Sequence, residues 1–96
     1  VGIGRDRVVD AFQAIADRNC AAARSVIPRL ETEEACAELF DESQQHGLAL
    51  LEIVDARNDG RDMHAVIVRC RVHLNDGERE MLVRATETET GWAVSM

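Results

Sequence analysis

Four residues of this chain could do acid–base chemistry on a small apolar molecule if the fold gathered them: Asp55, His64, Glu87 and Trp92. A carboxylate can orient an imidazole, the imidazole titrates near neutral pH, and a carboxyl group in an apolar wall can hold a proton there. His64 as base, Asp55 as orienting group and Glu87 as acid would serve a small isomerase or lyase, with the only indole beside them. The same four are the expected ligand-binding set. Against this stands the ordinary role of such groups, a hydrogen-bonded rim where a sheet meets water, with Trp92 as core. That blander reading is favoured, and the complete lack of tyrosine weakens the enzyme case further.

To bring the four together requires a sheet, and from residue 48 onward apolar residues alternate with period two. Asn58-Asp59-Gly60, Asn75-Asp76-Gly77 and Thr90-Gly91 supply turn residues between the runs. Strands are predicted over 48–57, 62–74, 79–87 and 92–96. Four-residue loops (58–61, 75–78 and 88–91) align Ala49, Leu51 and Ile53 with Cys70, Val68 and Val66, then with Val83 and Ala85, and onward to Val94 and Met96, as one buried face. This register sets Asp55 opposite His64, Glu87 opposite Val66 and so diagonal to His64, and Trp92 opposite Glu87. The reverse face then carries Leu48, Leu50, Glu52, Val54, Ala65, Ile67, Arg69, Arg71, Leu82, Arg84 and Ser95. Arg69 and Arg84 are expected to face one another, so a carboxylate from Glu52, Glu80 or a second copy should neutralise them. With Leu50, Ile67 and Leu82 these residues form a patch suited to a protein interface. A solvated basic stripe is the equal alternative.

The first half reads as helical. Val8, Phe12 and Ile15, with Val9, Ala16, Cys20, Ala23 and Ile27 beside them, recur at helical spacing over 5–27, with a joint near Asp17–Asn19. Pro28 stops this segment. Thr32 can cap a second helix over 32–46, with Glu33 and Glu34 at the positive end of its dipole and Gly47 ending it. His46 is expected as a cap, His73 as a strand end, Asp17 as a helix-end residue and Cys70 as inert packing.

Ninety-six residues make one domain, 1–96, with a thin core. A formal net charge of −7 with no basic run disfavours nucleic acid, and no apolar run approaches a membrane span. Cys20, Cys36 and Cys70 lack the paired spacings of zinc sites, so no metal or other cofactor is expected. A Cys20–Cys36 bridge would suit a thin core in an oxidising compartment; three buried thiols are the alternative. The first residue is Val1, which leaves an exported origin open.

Helices followed by an antiparallel meander that closes on a Gly-Trp strand form a pattern with a known likeness. The opening VVDAFQAIADRNCAAA, the run GLALLEIVDARNDGRDMHAVIVRCRVHL and the closing TGWAVSM resemble the nuclear transport factor 2-like superfamily, whose cone-shaped folds include ketosteroid isomerase relatives and many small exported proteins. The resemblance implies an α+β fold, shortened here, in which a curved four-stranded sheet wraps the helices, leaves a pocket at its open end and pairs with another copy through its back. Such folds host enzymes, binders and scaffolds alike. The leading expectation is a non-enzymatic accessory domain, exported or periplasmic, that holds a small apolar ligand or partner segment. It would form a homodimer through Leu50, Glu52, Ile67, Arg69, Arg71, Leu82 and Arg84.

Overall fold

The computed structural model describes residues 1–96. Its first helix, α1 (Gly2–Ala16), turns Val8, Ala11, Phe12 and Ile15 inward at three- and four-residue spacing. The joint expected near Asp17 is present: Arg18 takes a left-handed backbone (φ 51°), and Asn19 accepts a hydrogen bond from the Ala22 N–H (3.1 Å) to start α2 (Cys20–Val26). The turned Arg18 donates to Asp41 (2.6 Å) and Gln44 (3.1 Å), which tethers this joint to the third helix. That helix, α3 (Glu33–Gln45), begins where Thr32 accepts from the Ala35 N–H (3.0 Å), with Glu33 and Glu34 in its first turn. Cys20 and Cys36 are joined in a disulfide, Cα to Cα 5.6 Å, so α2 and α3 are covalently linked and only Cys70 is a free thiol.

Four strands follow, β1 (Ala49–Asp59), β2 (Asp62–Leu74), β3 (Gly77–Thr88) and β4 (Gly91–Ser95), in one antiparallel sheet of order β1-β2-β3-β4. The fold is α+β. α1 packs across all four strands, whereas α3 packs on α1 and α2 and its backbone keeps away from the strands. The core lies between α1 and the inner sheet face, where Val66, Val68, Cys70, Val72, Val83, Ala85 and Val94 are buried.

The β3–β4 register is the expected one, with Glu87 opposite Trp92 and Ala85 opposite Val94. At β2–β3 the turn is only two residues, Asn75 and Asp76, and Leu74 faces Gly77. The pairing therefore moves by two relative to a four-residue loop. Because two is also the side-chain period, both faces keep their residues while every partner changes. Cys70 faces Met81, Arg69 faces Leu82, and Arg84 faces Ile67, so the expected Arg69–Arg84 opposition does not occur.

In β1 the expected parity fails. Register shifts between Leu50 and Glu52 and between Ile53 and Asp55 insert extra residues at Leu51 and Val54, which point to solvent. Leu50, Ile53 and Ala56 reach the core instead, opposite Val72, Cys70 and Val68. Leu51 is thus not buried, and Leu50 leaves the outer patch. β1 is an edge strand, where bulges bend the strand and blunt its open side.

The end of α3 meets the β2–β3 turn at Gly47. Its φ of +69° suits glycine, and a Cβ there would come within 2.2 Å of the Asn75 side-chain oxygen. Asn75 donates from its side chain to the Gln45 carbonyl (2.6 Å) and from its backbone to the His46 carbonyl (2.8 Å), which satisfies acceptors that the helix end leaves open.

Three outcomes follow from this packing. Removing the bridge in Cys20→Ser/Cys36→Ser should lower unfolding stability by about 2–4 kcal/mol in urea titrations. Cys70, whose thiol burial pushes up to about 11, should stay unreactive toward alkylation until the protein unfolds. Gly47→Ala should cost about 1–2 kcal/mol through its left-handed backbone alone, and should shift the amide resonances of Asn75 and His46.

Candidate functional site

The chemistry-bearing residues fall into three separate places. The first is the sheet end where β2 begins. His64 and Glu87 come together there, Nδ1 to Oε1 3.9 Å, with side chains 65% and 57% exposed. The two-residue β2–β3 turn brings Glu87 across from His64 and not diagonal to it, as continuing that register shows. Asp55 does not join them. The β1 bulges rotate it onto the outer face, opposite Arg69, whose guanidinium donates to it at 2.6 Å. Between Asn58 and Asp59 the register slips again, so Met63, His64 and Ala65 have no partner in β1, and Met63 is 84% exposed. Trp92, opposite Glu87 on the same face, packs toward α1 instead of the His64–Glu87 pair. It lies near Gly4, where a Cβ would come within 3.1 Å of its ring, and it lines a groove of about 610 Å3 with Ile3, Arg7 and residues of α2. An imidazole and a carboxylate so exposed, without the third group and outside that groove, lack the desolvated setting that acid–base catalysis requires.

The second place is the outer sheet face, where three arginines each bridge two carboxylates. Arg71 lies 3.1 Å from Glu52 and 3.0 Å from Glu78; Arg69 lies 2.6 Å from Asp55 and 3.3 Å from Glu80; Arg84 lies 2.6 Å from Asp59 and 3.3 Å from Asp62. The Nε atoms of Arg69 and Arg71 are shielded from water and close to Glu80 and Glu52, but without hydrogen-bond alignment, so those contacts are ionic. Neutralisation comes from within the chain, from Glu52 and Glu80 as expected and from four further acids that the assumed register had hidden. Leu82 remains 63% exposed beside this ladder and Ile67 is half-buried within it.

The third place was not foreseen. Because α3 rests on α1 and α2 and stands off the sheet, a recess of about 520 Å3 is left between α3 and the β2–β3 hairpin. Leu39, Leu48, Val72, Leu74, Met81 and Met96 supply its apolar surface, and Arg29, Glu42, His46, Arg79 and Glu80 its polar edge. The sequence signal was a surplus of apolar residues, Leu39, Leu74 and Met81, that alternation alone assigns to core. His73 donates from Nδ1 to the Gly47 carbonyl oxygen (3.0 Å) and so helps to hold the α3 end. At about 3.3 Å per residue, Val72 in this recess stands roughly 25 Å along β2 from His64.

No group of three or more His, Cys, Asp or Glu is placed to hold a metal ion, and no helix is long and apolar enough to cross a membrane. Neither a family model, nor a curated protein, nor a solved structure matches the chain.

Asp59 gives the outer face a pH signature. The backbone N–H of Arg61 (2.9 Å) and the Arg84 guanidinium hold its carboxyl below the usual carboxylate range. A lowered folded pKa contributes stability that is complete above the unfolded value, about 3.9, and is lost as pH falls through the folded one. Asp59→Asn should therefore be less stable than the parent at pH 7, and urea titrations at descending pH should bring the two together in the acid range.

Proposed function

We propose that this chain is a small non-enzymatic binding domain that takes an apolar ligand or partner segment into the recess between α3 and the β2–β3 hairpin. The observation that carries this reading is the recess itself, apolar within and polar at its edge, as ligand sites are. It lies at the opposite end of β2 from His64 and Glu87, so that pair has no part in it. The reading keeps its fold-level support in the resemblance to nuclear transport factor 2-like cones, in which helices on an antiparallel meander leave a pocket at one end. The Cys20–Cys36 disulfide favours an oxidising compartment, and hence export, for the protein. Pairing of two copies through the outer face is the second element of the proposal. Its support is Leu82 and Ile67, since the arginines already have carboxylates of their own.

A native mass spectrum of the unreduced protein with 1-decanol tests both elements. One decanol per chain is expected, retained in His64→Ala and lost in Leu39→Glu, whose folding circular dichroism would check. A folded parent that takes up no decanol, or a Leu39→Glu protein that binds it equally, overturns the reading. A dimer that Leu82→Asp dissolves would establish the pairing, and a monomer at micromolar concentration would refute it.

A further inference from the structure

β3 is far longer than the strand that follows it. It runs from Gly77 to Thr88, but β4 pairs only with Arg84–Thr88, so from Gly77 to Val83 the sheet has an open side. β3 packs against β2, β4 and α1 and against no other element, and no turn or loop hydrogen bond of the backbone reaches this stretch. Alternate N–H and C=O groups there point at solvent in the line that β4 would occupy if it continued.

Of the devices that blunt such an edge only charge is present, at Glu78, Arg79 and Glu80. There is no proline, no lysine and no bulge between Gly77 and Val83, whereas the other edge, β1, is bulged at Leu51 and Val54. Apolar surface flanks the open side on both faces. Met81 points inward and lines the recess, and Leu82 points outward and is 63% exposed. The recess also reaches Arg79 and Glu80, so it runs up to the open edge.

Resting on the binding role proposed above, we infer that the occupant is an extended segment of a partner polypeptide, which adds a strand to β3 over Gly77–Leu82. Every second side chain of that segment is apolar and enters the recess beside Met81; the others are basic and lie on the outer face beside Glu78, Glu80 and Leu82. The basic character follows from the charge count. Arg71 is shared by Glu52 and Glu78, and Arg69 by Asp55 and Glu80, so each group keeps one negative charge in excess at the strand being extended. The chain as a whole carries −7. Opposite charges directly across strands attract and like charges repel. A second copy fits the same edge less well in two of its registers: a two-fold pairing centred on Glu80 sets that carboxylate against itself, and one centred on Arg79 sets Glu78 against Glu80 and Arg79 against Arg79; a pairing centred on Met81 has no such clash, and the concentration dependence below tests it. Strand addition with alternate side chains in a groove is an established way to bind peptides.

The test is amide NMR of the intact, oxidised protein with four blocked heptapeptides: one alternating lysine and valine, one alternating glutamate and valine, and the lysine peptide N-methylated at every second residue in each of the two possible patterns. The lysine peptide should slow amide exchange and shift resonances within Gly77–Val83, Met81 included. The glutamate peptide should bind about tenfold more weakly at low ionic strength, with the gap narrowing as salt is added. One N-methylated pattern, of the two possible, should abolish the effect by removing the donors that face β3. Shifts confined to other strands, equal binding of the acidic peptide, or unchanged binding of both N-methylated patterns would overturn the inference. Concentration-dependent protection of Gly77–Val83 without peptide would also overturn it and assign the edge to a second copy. If decanol occupies the recess while no peptide binds, the edge proposal fails and the binding role stands; if neither binds, both fail.

Discussion

The contact between Gly47 and Asn75 governs the geometry of everything around the recess. A helix end must find partners for its last carbonyls. Here a turn residue supplies them: Asn75 forms the β2–β3 turn with Asp76 and donates to the carbonyls of Gln45 and His46. The approach is so close that only a residue without Cβ fits at position 47. α3 is thereby fastened at its C-terminal end to the tip of the hairpin and at its N-terminal half to α2 through Cys36. Fixed at both points, it lies beside α1 and α2 and leaves space above β2 and β3. The recess is a consequence of that double attachment, not of a local apolar run.

The same turn sets the electrostatics of the opposite face. With Leu74 facing Gly77, the arginines of β2 and β3 are offset from one another and each stands among carboxylates of neighbouring strands. Exposed ion pairs contribute little singly, so the ladder's main effect is on specificity. It gives the outer face alternating charge with an acidic excess, and it leaves Leu82 uncovered at the strand edge. Recess and edge meet at β3, where Met81 belongs to one and Leu82 to the other. That juxtaposition is the ground for proposing a strand-shaped occupant over a compact one.

His64 shows how a plausible catalytic set can dissolve in three dimensions. Its pairing with Glu87 survives, because both strands keep their parity through a shift of two. Asp55 is lost, because β1 shifts by single residues at its bulges, and a single residue exchanges faces. A ladder read from alternation is only as reliable as the assumption that each strand has none.

Local chemistry determined much of this protein. Helical spacing, the Asn19 and Thr32 caps and Pro28 specify the helices. Period-two runs divided by two Asn-Asp-Gly turns and one Thr-Gly turn specify four strands in meander order, and the β3–β4 register follows from its turn. The inner faces of β2, β3 and β4 were legible for the same reason: their side chains alternate without interruption. Tertiary structure alone decided the rest. The bulges of β1 depend on how an edge strand fits beneath α1, and the oxidised pairing of Cys20 with Cys36 depends on two helices meeting. The ion pairs depend on a turn of two residues where four also preserved the pattern, since both lengths bury the same side chains. The recess depends on where α3 comes to rest, and no period in a linear sequence records the distance between a helix and a sheet.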